Sequence, residues 1–229
     1  MEKLTKDAIN LGNVDIFKLF SQYFFPTLLG MLCMSAVTAI DGIFIGHGVG
    51  ADGIAAVNIC VPIFMLGAGI GLMLGAGCSV VASIHLSVGK LKAARLNVTQ
   101  AMLFATICMA LPIGGMWLFH VETAQILGSS DELLPMVKEY MVWFIPGMIC
   151  QMWASVGLFV IRLDGSPQFA MLCNLVAAIA NAFLDWLFIF PMGWGLMGAA
   201  FASFIAMAMG GVMALGYLLF LLKLYGWFD

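Results

Sequence analysis

The sequence is dominated by long apolar stretches that contain almost no charged residues. A helix needs about 20 mostly apolar residues to cross the hydrocarbon core of a bilayer. Runs such as Phe201 to Met209 do not alternate polar and apolar residues, as the strands of a membrane β-barrel would. The predicted fold class is therefore all-α, a polytopic membrane protein with one six-helix transmembrane bundle over residues 1–229. The predicted spans lie near residues 17–45, 54–84, 98–119, 136–161, 168–190 and 196–222.

The composition excludes several classes of protein. Hydrophobic residues make up 63% of the chain and charged residues 9%, whereas about a quarter of a soluble domain is charged. That leaves too few charges to cover a water-facing surface, which excludes a soluble enzyme and a secreted disulfide scaffold. The net charge of -3 and the lack of a basic block also argue against nucleic acid as a partner. The expected surroundings are a lipid bilayer.

The distribution of basic residues predicts the orientation. Cytoplasmic loops of membrane proteins are enriched in Lys and Arg, and Lys138 alone falls on the opposite side here. Both termini are therefore expected in the cytoplasm, with the protein in a bacterial-type inner (plasma) membrane. The basic segment Ser83–Asn97 is expected to lie along the inner interface. The basic residues assigned to the inner side are Lys3, Lys6, Lys18, Lys90, Lys92, Arg95, Arg162 and Lys223.

Two acidic residues interrupt the apolar pattern. Asp41 lies late in the first span and Asp185 late in the fifth, four residues after Asn181. Residues four apart share one helix face. Ionisable residues inside a membrane are costly and usually mark a functional site. The alternative is that Asp41 caps a helix end and that Asp185 lies at the headgroups beside Trp186.

Depth places several polar residues at the same level. A helix rises about 1.5 Å per residue, and successive spans run in opposite directions. Both acids therefore belong in the outer half of the membrane, where residues early in the returning spans also lie. Depth alone does not establish that these side chains face one another. The predicted cation site consists of Asp41, Asn58, Tyr140, Asn181, Asp185 and Ser203.

The chemistry of this set predicts a coupled transporter. Two carboxylates in a low-dielectric interior cannot both stay charged, so a proton or a cation must bind between them. Sodium, if it is the ion, would bind between Asp41 and Asp185. Tyr140, Asn181 and Ser203 would supply oxygen ligands or hydrogen bonds. No further cofactor is expected, and Pro26 is predicted to be a conformational hinge in the first span.

Glycines in the second span predict close helix packing. Gly67, Gly71 and Gly75 recur every four residues, which gives the helix a smooth face. A nucleotide site is rejected because no βαβ context or phosphate-binding Lys surrounds these glycines.

Three blocks of sequence resemble the multidrug and toxic compound extrusion (MATE) family. The stretch Asp41–Gly50, followed by Gly53–Val57, resembles the junction between that family's first two spans. Gly71–Ser79 with Gly89-Lys90 resembles its second span and inner loop, and Asn181-x-x-x-Asp185 its fifth-span motif. The resemblance covers essentially the whole chain.

The resemblance implies an antiporter that expels organic, often cationic, compounds in exchange for protons or sodium. It implies a cation site in the amino-terminal half at Asp41, Asn181 and Asp185, with Tyr140 and Ser203 as partners. Pro26 matches a proline that is proposed in the family to bend on protonation.

The chain departs from the family in length. The family has twelve spans in two halves, whereas this sequence has six predicted spans. We therefore expect a second six-span half as partner, either a missing carboxy-terminal half, a second copy or the other member of a split transporter. The abrupt ending at residues 223–229 fits a fragment. A small organic substrate would pass between the halves.

Other functions remain as alternatives. A flippase for lipid-linked intermediates would favour cationic residues in its cavity, whereas these spans are almost free of Lys and Arg. An intramembrane aspartyl protease is not expected, because neither acid lies in a Gly-x-Gly-Asp context. A non-transporting assembly subunit is the remaining alternative.

Overall fold

A bundle of long helices accounts for nearly all of the structure. The computed structural model describes residues 16–224, apart from the side chains of residues 19 and 220–224. Six of the described helices are long and apolar enough to cross a bilayer, which confirms the predicted all-α, six-span fold class. Lys3, Lys6, the side chain of Lys223 and the ending 225–229 lie outside the described residues. The helices are α1 (Ile16–Gly48), α2 (Ala51–Ser87), α3 (Leu91–Leu118), α4 (His120–Ile126), α5 (Leu134–Leu163), α6 (Pro167–Ile189) and α7 (Gly195–Leu224).

The sequence did not predict two features of the connections. The short helix α4 lies between the third and fourth spans. The segment Ser83–Asn97 forms the end of α2 and the start of α3, and its location along the inner interface stays a prediction. Gly89 joins the two helices with φ of 73°, a left-handed conformation that glycine adopts without strain. The polar residues extend the helices beyond the apolar stretch because Ser, His and Lys do not interrupt a helix.

The central helices of the bundle are α5 and α7. They pack against each other along their length, α2 and α3 pack on α5, and α6 packs on α7. The first helix, α1, packs mainly on α6 and makes few contacts with α2. The order of contact is therefore α1–α6–α7–α5–α2. The ends of this series meet at the α1–α2 junction, where a Cβ atom on Gly46 would lie 3.1 Å from Ile54 Cδ1.

Glycines allow these helices to approach closely. The α2 glycines that were predicted to form a packing face do face α5, which confirms that prediction. A Cβ atom on Gly71 would lie 3.1 Å from Ser155 Cβ, and one on Gly75 would lie 2.6 Å from Phe159 Cδ2. At Gly67 it would overlap Met148 Cε. Between α5 and α7, a Cβ atom on Gly211 would lie 2.6 Å from the backbone oxygen of Cys150.

Replacing Gly211 with Ala should separate α5 from α7, because the Cys150 backbone cannot move aside as a side chain can. Overpacking of this kind costs about 1–3 kcal/mol, which corresponds to a fall in unfolding temperature of roughly 2–12 °C for a protein of this size. Gly216→Ala on the same helix is the control, since a Cβ atom there would meet nothing within 4 Å. Equal unfolding temperatures for the two variants in detergent would contradict this account of the packing.

Candidate cation site

The two intramembrane acids meet between α1 and α6. Asp185 is 0% exposed, and Asp41 is half-buried. Their side chains lie within hydrogen-bonding reach of each other. The approach of α1 to α6 depends on a small residue, since a Cβ atom on Gly30 would already lie 3.3 Å from Asn174 Nδ2. The packing of these two helices thus brings together acids that are far apart in the sequence.

The carboxylate pair has unsatisfied oxygens. Asp41 Oδ1 and both carboxylate oxygens of Asp185 are shielded from solvent and accept no hydrogen bond from any described residue. An ionised carboxylate buried without a partner costs several kcal/mol. Since two carboxylates have no hydrogen to donate to each other, the geometry calls for a proton shared between them or a cation bound to them.

The remaining walls of the site come from α2, α5, α6 and α7. Asn181 lies one turn before Asp185 on α6, and its Nδ2 donates to Ser203 Oγ at 3.5 Å. Tyr140 on α5 is 3% exposed, and its hydroxyl lies within hydrogen-bonding reach of Ser203 and within electrostatic range of both acids. Its ring stacks on Phe144, with centroids 5.0 Å apart. The Tyr140 hydroxyl is therefore held toward the acid pair.

The structure brings together most of the residues that were predicted for the site, but not Asn58. Asp41, Asp185, Asn181, Tyr140 and Ser203 converge, whereas Asn58 is exposed on α2. A buried residue of α2 in the wall of the site is Cys60, which is 1% exposed and interacts with Tyr140. Two residues apart on a helix is about 200° of rotation, so Asn58 and Cys60 face nearly opposite directions.

The predicted hinge lies far from the acid pair on the same helix. Pro26 is inside α1, which continues as a helix from Ile16 to Gly48. Fifteen residues separate Pro26 from Asp41, a distance of about 22 Å along the helix axis. The hinge function of Pro26 stays a prediction.

The site offers the ligands of a hard cation or a proton. Carboxylate, amide, phenol and hydroxyl oxygens come from five side chains on four helices, and oxygen is the donor that hard cations prefer. No group of three or more His, Cys, Asp and Glu side chains suited to a transition metal occurs between residues 16 and 219. The chemistry of the donor set thus fits sodium or a proton.

Replacing Asp185 with Asn should stabilise the protein at alkaline pH in the absence of sodium. The amide keeps the shape of the side chain, removes the repulsion between two buried charges, and can donate to Asp41 Oδ1. A gain of 1–2 kcal/mol would raise the unfolding temperature by about 2–8 °C. Asp52→Asn is the control because Asp52 is exposed. An unfolding temperature of Asp185→Asn below that of the wild type would contradict the proposed repulsion.

These features define the class of the protein: a six-span helical membrane protein with a buried acid pair between two of its spans. The MatE family model matches residues 26–187. The chain therefore belongs to the MatE family, a family of membrane transporters, as its sequence resemblance implied.

Curated relatives agree with this assignment. The chain is 25% identical to the FAD transporter of Shewanella oneidensis over 216 residues, which are 91% of this chain and 48% of that protein. It is 24% identical to the multidrug export protein MepA of Staphylococcus aureus over 193 residues, which are 83% of this chain and 42% of MepA. The chain thus spans about half the length of the curated relatives it matches.

Solved structures share the fold. The TM-score is 0.86 to a MATE protein crystallised with MaL6, at 24% identity over 96% of this chain and 48% of that one. It is 0.80 to the Vibrio cholerae MATE transporter VcmN in its bent form, at 24% identity over 93% of this chain and 47% of VcmN. The described bundle therefore has the fold of about half of a MATE transporter.

Proposed function

We propose that this chain forms the cation-coupling half of an antiporter that exports organic, often cationic, compounds in exchange for protons or sodium. The observation that carries the proposal is the buried Asp41–Asp185 pair, whose oxygens are unsatisfied. Such a site must take up a proton or a cation to neutralise its buried charge. Because the chain belongs to a family of transporters, this uptake is suited to couple ion movement to substrate movement.

The placement of the acids on different helices supports coupling. The interaction between two charges depends on their separation and on the local dielectric. A movement of α1 relative to α6 would change the distance between Asp41 and Asp185 and hence the affinity for the ion. A substrate that binds more tightly to one position of α1 would shift the protein toward that position and so change its affinity for the ion. Binding of the ion would change the affinity for the substrate by the same factor, since linkage between two ligands is reciprocal.

The charge of the site favours cationic substrates. The described Lys and Arg residues lie at or near helix ends, so an organic cation would meet acids and aromatic rings inside the bundle. MepA, one of the relatives, is a multidrug export protein. The relative named as an FAD transporter makes a flavin dinucleotide the second substrate class to test.

We propose that a second six-span bundle completes the substrate path. Within the most apolar window of each span, 56% of the residues are buried in α5 and 50% in α7, against 11% in α1 and 17% in α3. The outer helices therefore present large surfaces to lipid and to a partner half. The partner is either a carboxy-terminal half or a second copy of this chain. With both termini in the cytoplasm of a bacterial-type cell, the acid pair lies near the outer face of the plasma membrane.

Loss of either acid should abolish coupling in lipid vesicles. The chain, expressed with its partner half, is reconstituted, and proton or sodium movement is recorded when an organic cation such as ethidium is added. Asp41→Asn and Asp185→Asn should reduce the ion movement to the level of empty vesicles, since each removes one of the two charges that bind the ion. Asp52→Asn, an exposed acid at the start of α2, should retain it.

The outcomes separate the candidate functions. Undiminished coupling in both acid variants would overturn the function proposed for the pair. Movement driven by a lipid pyrophosphate but by no organic cation would identify a flippase instead. A cellular phenotype unchanged after removal of both acids would identify a non-transporting assembly subunit.

The unfolding temperature should reveal the coupling ion. A ligand that binds only the native state raises stability with its concentration, by about 2.7 kcal/mol at 100 times its dissociation constant. If sodium binds the pair, the wild-type unfolding temperature should rise with sodium concentration at fixed pH. If a proton binds instead, the unfolding temperature should rise as the pH is lowered in the absence of sodium. Asp185→Asn should lose that response. Among the described titratable groups, Tyr140 on α5 interacts with both acids, and Cys60 on α2 interacts with Tyr140. A response that persists in Asp185→Asn would place the ion elsewhere.

A further inference from the structure

The helix faces that carry the acids change character within one turn. On α1, Asp41 is followed on the same face by Ile45 and then by Gly48. On α6, Asp185 is followed on the same face by Ile189. Four residues of helix rise about 6 Å. On both helices, therefore, the acid is followed about one turn later by an apolar residue on the same face. This apolar level lies between the acids and the end of the bundle where α1 joins α2.

The apolar residues at this level are here called the apolar cap, which consists of Phe44, Ile45, Ile189, Phe190 and Leu196. Three of them are nearly inaccessible, with exposed fractions of 2% for Ile45, 4% for Ile189 and 3% for Leu196. These three belong to one hydrophobic cluster that also contains Tyr140 of the cation site. The Phe44 and Phe190 rings meet edge to face across α1 and α6, with centroids 5.8 Å apart. The cap thus lies between the acid pair and the junction end of the bundle.

Two glycines allow the cap to close. A Cβ atom on Gly48 would overlap Ile189 Cγ2. A Cβ atom on Gly53 of α2 would lie 2.7 Å from Val49 Cγ1 and 3.1 Å from Ile45 Cγ2. By contrast, a Cβ atom on Gly42 of α1 would meet nothing within 4 Å. The fit of α1 to α6 and α2 is therefore closer at the cap than at Gly42, one turn before it.

We propose that the apolar cap is a gate that keeps water and the coupling ion from reaching Asp41 and Asp185 from the junction end, and that Gly48 is the positioning residue that seals it. A constriction lined by apolar side chains excludes ions because it does not hold water. Access from this end then requires α1 to separate from α6, the same movement that changes the distance between the two acids. The inference rests on the proposed function for the identity of the ion, but the seal itself is a separate property of the structure.

The reactivity of Cys60, a cysteine of the natural sequence, measures whether water-soluble reagents pass the apolar cap. Cys60 is 1% exposed, and it lies beside Tyr140 in the wall of the cation site. The protein in lipid discs is exposed to a small water-soluble methanethiosulfonate reagent, and the modification of Cys60 is followed by mass spectrometry of the peptides, which separates it from the other cysteines. Gly48→Ala should speed the modification about tenfold or more, since an overpacked methyl group shifts a closed–open equilibrium by about that factor.

Two controls make the comparison specific. Gly42→Ala adds the same methyl group to the same helix in open space, so it should react as the wild type does. Gly48→Ala combined with Ile189→Leu should also react as the wild type does, because leucine lacks the Cγ2 methyl and the new alanine methyl takes its place. Ile189→Ala, which opens the cap without overpacking, should speed the modification if Gly48→Ala does not fold.

The results distinguish the cap from the coupling site. Modification of Cys60 at the wild-type rate in both folded Gly48→Ala and folded Ile189→Ala would overturn the cap as a gate. Fast modification without rescue in the double variant would overturn the role of the Gly48–Ile189 contact. Fast modification in Gly48→Ala, together with a substrate-independent proton or sodium leak in vesicles, would support both the cap and the acid pair. Fast modification without a leak would support the cap and contradict the proposed function of the pair.

Discussion

The burial of two carboxylates against each other is the interaction on which the rest of this structure depends. Asp185 is fully buried, and three oxygens of the Asp41–Asp185 pair accept no hydrogen bond from a described residue. In a low-dielectric interior, this arrangement is stable only with a proton or a cation. Tyr140, Asn181 and Ser203 surround the pair with groups that can bind either. The energetic need for an ion and the means to hold it thus come from one cluster of side chains.

Small residues allow the helices to hold the acids in place. Lipid provides no hydrophobic driving force between helices, so their association depends on close packing. Gly211 brings α7 against the α5 backbone, and Gly71 and Gly75 bring α2 against α5. The central helices therefore form a closely packed unit. In contrast, α1 is attached mainly through α6, so the helix that carries Asp41 depends chiefly on one neighbour for its position.

The fold was predictable from the sequence because each span is long and apolar on its own. The six predicted spans correspond to six helices, and the helix ends differ where polar residues continue a helix beyond the apolar stretch. The extension of α2 to Ser87 and the start of α3 at Leu91 are examples. Hydropathy identifies the part of a helix that lies in lipid, and it does not determine where the helix ends.

The sequence predicted how deep in the membrane the site residues lie, but only partly which of their side chains face the site. Depth along a span follows from the rise per residue, and it correctly grouped Asp41, Tyr140, Asn181, Asp185 and Ser203. Direction depends on the rotation of each helix about its axis. Depth alone does not distinguish Asn58, which is exposed on α2, from Cys60, which lies beside Tyr140. A signal for Cys60 was present in the sequence. The glycine face of α2, continued backwards from Gly67 at helical spacing, passes through Ile63, Cys60 and Ala56.

The apolar cap was not predicted, because it depends on which atoms of α6 lie opposite Gly48. No periodicity in a single helix contains that information. The contact with Ile189 arises from the packing of two helices that are separated by more than a hundred residues of sequence. Contacts of this kind become visible only when the relative rotation and register of both helices are known.

Whether the acid pair holds a proton or sodium can be measured directly by an infrared spectrum of the purified protein in lipid, recorded with and without sodium across a range of pH. A proton shared by the acid pair gives the carbonyl band of a protonated carboxylic acid, and bound sodium shifts the carboxylate bands. The wild type should show one of these signatures, and Asp185→Asn should lose it. Two carboxylates that remain ionised at every pH tested and do not respond to sodium would show that the pair binds neither ion.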